Sequence, residues 1–72
     1  MEVRVNGVYH HFKGNDYRVL CIATDSTNLN KVVVYKSLKD GEVWVRPYEE
    51  FNSLVDKTKY PDIKQKYRFE LK

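Results

Sequence analysis

The sequence holds a single cysteine, Cys21, with three glycines and two prolines among its 72 residues. One thiol cannot form an intramolecular disulfide, which excludes a secreted miniprotein stapled by bridges and points to a reducing compartment, the cytoplasm. No stretch approaches the roughly 20 apolar residues of a membrane helix. Met1-Glu2-Val3-Arg4 lacks the charged-then-apolar order of a signal peptide, so neither export nor a membrane partner is expected. At 8.6 kDa the chain is also too short for a multidomain enzyme or a dinucleotide-binding fold, and residues 1–72 read as one domain. Charge of one sign is scarce as well: thirteen Lys and Arg against ten Asp and Glu leave +3. That excess is uneven. Lys57, Lys59, Lys64, Lys66, Arg68 and Lys72 against Asp62 and Glu70 give residues 57–72 a charge of +4, and the preceding residues −1.

What the sequence does contain is β-branched and aromatic residues between turn signals. Asn6-Gly7 opens a strand over Val8–Phe12, and Lys13-Gly14-Asn15-Asp16 closes it. Tyr17–Thr24 is the most apolar run, with apolar groups at both parities, and is expected to be the central strand. Asp25-Ser26-Thr27-Asn28 reverses the chain into a third strand over Lys31–Leu38. Lys39-Asp40-Gly41 is a hairpin signature, so Glu42–Arg46 returns antiparallel, with Trp44 on the face opposite Val43 and Val45. Pro47, Glu49 and Glu50 followed by Phe51, Leu54 and Val55 predict a short helix or 3-10 turn near Tyr48–Val55. After a polar linker over 56–65, Tyr67, Phe69 and Leu71 alternate with Arg68, Glu70 and Lys72 as a fifth strand with one wet face. A mainly β fold follows: a small five-stranded SH3-like barrel, an antiparallel meander with a helical turn before the last strand, in preference to an OB-type barrel that wants longer strands.

Gly7-x-Tyr9-x-His11-Phe12-Lys13-Gly14-x-x-Tyr17-x-Val19, then Ala23, Val33-Val34-Tyr35-Lys36-x-Leu38, Trp44-Val45-Arg46-Pro47 and Phe51 carry a resemblance. They resemble the small bacterial proteins grouped as domain-of-unknown-function family 1653, over residues 7–51 and more weakly at Arg68-Phe69. The resemblance implies an SH3-type β-barrel and no activity. The sequence departs from the pattern at Asp25, Thr27 and Glu50, where His, Glu and Met are common, so no role resting on that His carries over.

Candidate chemistry is sparse. His10 and His11 are adjacent on a strand and point to opposite faces, so they cannot chelate one metal ion, and no metal or cofactor is expected. Cys21 with His11 as base and Asp16 or Asp25 as orienter would make a thiol nucleophile. Its neighbours Leu20, Ile22 and Ala23 instead predict a buried, inert thiol. Lys13-Gly14-Asn15-Asp16 lacks the spacing of a phosphate-binding loop.

A better cluster forms if the third and fourth strands pair. Tyr35 then faces Trp44, Arg46 shares the Trp44 face, and His11 and Lys13 complete a rim. An aromatic platform and a guanidinium fork of this kind receive a planar, anionic or peptide ligand. Alternatively, Trp44 and Tyr35 fill the core while Arg46 pairs with an acidic group. A second candidate surface is the basic segment, where Lys57, Lys59, Tyr60, Lys64 and Lys66 combine the charge and aromatics that track single-stranded RNA or DNA. A small enzyme using His11 as a base is the third reading. The expectation is a non-enzymatic binding module for a protein, peptide or small molecule, as a monomer or weak homodimer.

Overall fold

The computed structural model describes residues 2–72; Met1, first of the residues read for a signal peptide, lies outside them. Strands β1 (Val8–His11), β2 (Asp16–Thr24), β3 (Lys31–Ser37) and β4 (Val43–Pro47), helix α1 (Tyr48–Phe51) and strand β5 (Phe69–Leu71) follow in chain order. All pairings are antiparallel, in the spatial order β4-β3-β2-β1-β5, with β2 central. The expected meander with a helical turn before the last strand is present. Closure is not. β4 and β5 end the sheet without pairing to one another, so the barrel stays open along one seam.

The core is built on aromatic rings, because a chain this small must fill its interior with few side chains. Tyr9, Phe51 and Phe69 are fully buried with Val19 and Val33. Phe51 stacks on Phe69 at 4.0 Å, and Tyr9 and Tyr35 meet Phe51 edge-on at 5.5 and 5.3 Å. Burial of each ring contributes about 2–3 kcal/mol. The segment before β1 belongs to this core although no periodicity announces it: Val3 is buried, and the backbone N–H groups of Val3 and Arg4 donate to the hydroxyls of Tyr48 and Tyr9.

Three expectations are corrected. The most consequential concerns β2, where the register to β3 slips between Val19 and Cys21. The extra residue of this bulge reverses the alternation, so Val19 and Ile22 both face the core and Cys21 turns outward. The thiol expected to be buried is therefore exposed. The apolar residues at both parities reflect a phase change, not two buried faces.

The helix is also shorter than the predicted Tyr48–Val55. After Phe51 the backbone pairs with the returning chain: Arg68 N–H donates to the Ser53 carbonyl and Val55 N–H to the Lys66 carbonyl, and Leu54 is exposed. The last strand is shorter as well. Tyr67 makes only an isolated bridge to Leu54, and Leu71, expected inside, is exposed at the end of β5.

Candidate functional site

The open seam is where the sheet's inner face reaches the surface. A cavity of about 210 Å³ opens there, lined by His11 of β1, Tyr17 of β2, Tyr35 of β3, Trp44 and Arg46 of β4 and Phe69 of β5. Every strand contributes, and side chains do what backbone hydrogen bonds do not. The Arg46 guanidinium lies 5.9 Å from the Phe69 ring centroid, spanning β4 to β5. Tyr17 touches Tyr35 and Phe69 edge-on at 5.3 and 5.7 Å, forming the floor.

Trp44 pairs directly with Tyr35 in the β3–β4 register, and Arg46 follows on the same face. The two aromatic residues divide the roles left open by the sequence: Tyr35 is buried at 4% exposure, while Trp44 stands at the mouth with 52% of its surface exposed. Arg46 Nε donates to the Tyr35 hydroxyl at 3.2 Å, leaving that hydroxyl's own proton to donate elsewhere. Its Nη1 pairs with Glu50 at 2.6 Å, the acidic partner anticipated for it.

His11 is the polar group on the opposite wall, 4.8 Å from the Phe69 ring. The Lys13 backbone N–H donates to its Nδ1 at 3.0 Å, which assigns the proton of the neutral ring to Nε2. Burial, followed by the positive charges of Arg46, Arg68, Lys13 and His10, lowers its pKa from 6.5 to about 4. The ring is thus neutral at pH 7 and a donor at Nε2. An imidazole with so low a pKa is a poor proton acceptor, and the guanidinium that lines the cavity with it carries the Glu50 carboxylate as its partner. His10 points the other way, to Asp16 at 2.7 Å.

Lys13 does not join the rim. It sits in the turn after β1, with its ammonium 5.4 Å from the Tyr60 ring and 5.9 Å from that of Phe12. Phe12 and Tyr60 meet edge-on at 5.0 Å, with Lys59 over the Tyr60 ring at 5.6 Å and Arg68 over the Phe12 ring at 6.0 Å. Hydrogen bonding to Lys13, with the nearby Lys59 charge, holds the Tyr60 phenol below its usual pKa. The other basic residues named from sequence are scattered around this cluster. Lys57 donates to the carbonyls of Ile63 and Gln65, pinning its own loop, Lys64 is exposed, and Lys66 lies 5.6 Å from the Tyr67 ring. Cys21, on the outer face, is separated by the sheet from His11 on the inner one.

Tyr17 and Phe69 were not singled out as site residues. Phe69 was legible as core and in the weaker part of the resemblance, and Tyr17 only as one of the residues carrying the resemblance. A second, larger cleft of about 280 Å³ lies beside the end of β4, among Asn30, Lys31, Pro47, Tyr48 and Glu49. It brings opposite charges together without an aromatic wall, so it is the weaker candidate. No group of three or more potential ligands able to hold a metal ion occurs among the described residues.

A family model described as "Protein of unknown function (DUF1653)" matches residues 7–71. The match extends past residue 51 and takes in most of the basic segment, which the resemblance read from sequence had left largely outside. No curated protein and no solved structure matches the chain.

Proposed function

The chain belongs to the DUF1653 family of proteins of unknown function, and we propose that it is a non-enzymatic binding module of the bacterial cytoplasm whose seam cavity takes a small planar anion. One observation carries this reading. Arg46, His11 and Tyr35, which carry a guanidinium, an Nε2 donor and a hydroxyl, line one cavity with Trp44, Tyr17 and Phe69. Aromatic walls accept a flat ligand on their faces, and charge-assisted donors favour a carboxylate or phosphate at its edge. All six lining residues are also among those that carry the family resemblance, Phe69 in its weaker part. The cytoplasmic placement rests on the lone Cys21 thiol.

Benzoate and phenyl phosphate are suitable probes. Titration should quench Trp44 fluorescence and move the amides flanking His11 and Arg46, with Kd of about 1 mM for fragments of this size. Saturation should raise the His11 pKa, because an anion offsets the cations that depress it. If the probes leave Trp44 and both amide groups unchanged, the cavity is only the seam of the fold.

A second reading has its own observation, the cluster of Phe12 and Tyr60 with Lys13, Lys59 and Arg68. Such a cluster suits single-stranded nucleic acid. Titration with a short single-stranded RNA separates the two readings. Shifts confined to 12–13 and 57–68 that fade steeply with salt favour nucleic acid, and shifts at Trp44 favour the cavity.

A further inference from the structure

β4 is an edge strand, and three consecutive residues on it are exposed apolar side chains: Val43 at 52%, Trp44 at 52% and Val45 at 65%. Its inner side is engaged with β3. Ser37 N–H donates to the Glu42 carbonyl at 2.8 Å, which makes Ser37 and Glu42 a hydrogen-bonded pair. Alternation along the ladder then makes Tyr35–Trp44 and Val33–Arg46 hydrogen-bonded pairs too. The N–H and C=O groups of Val43 and Val45 therefore point away from β3, to the open edge. Pro47, which has no N–H to give, occupies the next outward position. The edge thus offers two donors and two acceptors before it ends.

We propose that a second copy of this chain pairs with that edge, β4 against β4 about a twofold axis, with Trp44 opposite Trp44 of the second copy. The sequence complements itself in this register. Val43 lies opposite Val45 of the second copy, and the reciprocal pair repeats it, so all outward N–H and C=O groups of both valines are satisfied in four hydrogen bonds. The two indoles meet at a non-hydrogen-bonded position, where side chains approach most closely. Glu42 lies opposite Arg46 of the second copy on the indole face, so at two symmetric positions a second carboxylate adds to the Arg46–Glu50 pair.

The neighbouring register, centred on Val45, is inferior. It sets the Val43 carbonyl against Pro47 of the second copy, which has no proton to donate, and leaves Glu42 without a cationic partner. Pairing of this kind is isologous and closes at two copies. It extends the outer-face valines Val32, Val34, Val43 and Val45 into one stripe across a joined sheet, and it places both seam cavities on the same face. The strand is short, so the dimer is weak, with Kd of about 10–500 μM. The inference does not depend on the ligand proposal, because its test uses protein without ligand.

Sedimentation equilibrium from about 5 μM to 1 mM should show a monomer–dimer equilibrium in that range. Val45→Pro removes an outward N–H without touching the β3 ladder, and should raise Kd by about tenfold or more while the amide spectrum stays dispersed. E42R puts like charges at both symmetry-related positions and should weaken the dimer by a similar factor. R46E should do the same. An equimolar mixture of E42R and R46E restores opposite charges at both positions, so a heterodimer should form where neither variant dimerises alone. A wild-type chain that is monomeric at the highest concentration overturns the proposal. So does a V45P dimer as tight as wild type, or a mixture of the two charge variants that stays monomeric.

Discussion

At the scale of single residues, His11 and Arg46 hold the testable chemistry. The His11 pKa of about 4, against 6.5 for a free imidazole, links stability to pH with a definite sign. Between these values the unfolded chain takes up a proton that the native ring refuses. Stability therefore falls as pH drops from about 6.5 to about 4, by about 1–2 kcal/mol after allowing for solvent screening at the rim, and levels off below. Urea midpoints across this window check it, and His11→Asn should flatten the slope.

Asp16 adds a separate loss at lower pH. Its carboxyl is held below its usual pKa by hydrogen bonds from Lys72 and His10, so its contribution is complete above about pH 4 and disappears as that lowered pKa is crossed. Arg46→Ala removes the Glu50 ion pair, the Tyr35 hydrogen bond and the contact over the Phe69 ring, at a cost of about 1–2 kcal/mol, each kcal/mol lowering Tm by about 4–8 °C. Probe binding should fall more than tenfold in the same variant. A much larger drop in Tm would mean that Arg46 serves the fold first.

The β2 bulge governs the element scale. Ile22→Ala should cost about 2 kcal/mol, whereas Cys21→Ser, one position earlier, should stay within about 0.5 kcal/mol. Thiol labelling of the native protein should proceed at nearly the unfolded rate; slow labelling would put Cys21 back inside. This element also shows why reading the sequence succeeded in some places and failed in others. Strands β1, β3 and β4 and their order were legible because Gly14 and Gly41, both at positive φ, punctuate them and because Val33, Tyr35, Trp44 and Arg46 hold one parity throughout.

A bulge has no such mark. An extra residue shifts every later side chain, and Leu-Cys-Ile-Ala reads as apolar in either phase. The extent of α1 was overestimated for another reason. Phe51, Leu54 and Val55 do keep helical spacing, but the backbone bonds offered by Lys66 and Arg68 lie more than ten residues away in the chain. The cavity was half legible: local pairing placed Tyr35, Trp44 and Arg46 together, while Phe69 arrives only when the distant β5 packs beside β1.

For the whole molecule, the dominant fact is how few side chains hold the core. Phe69 is 1% exposed, stacks on Phe51 and touches the rings of Tyr17, Tyr35 and His11. Phe69→Ala should cost about 3–5 kcal/mol, comparable with the whole net stability of a chain this small. Circular dichroism should find it largely unfolded at 25 °C, with Phe69→Leu still folded.

The unclosed seam, finally, sets a clock. With no backbone ladder between β4 and β5, the mouth of the cavity is governed by the half-exposed Trp44, and exposed side chains change rotamer in picoseconds to nanoseconds. Binding then runs at an ordinary encounter rate, and a ligand of about millimolar affinity stays for about a millisecond or less. On the proposed reading, a ligand of the seam cavity would exchange continuously and would not be stored.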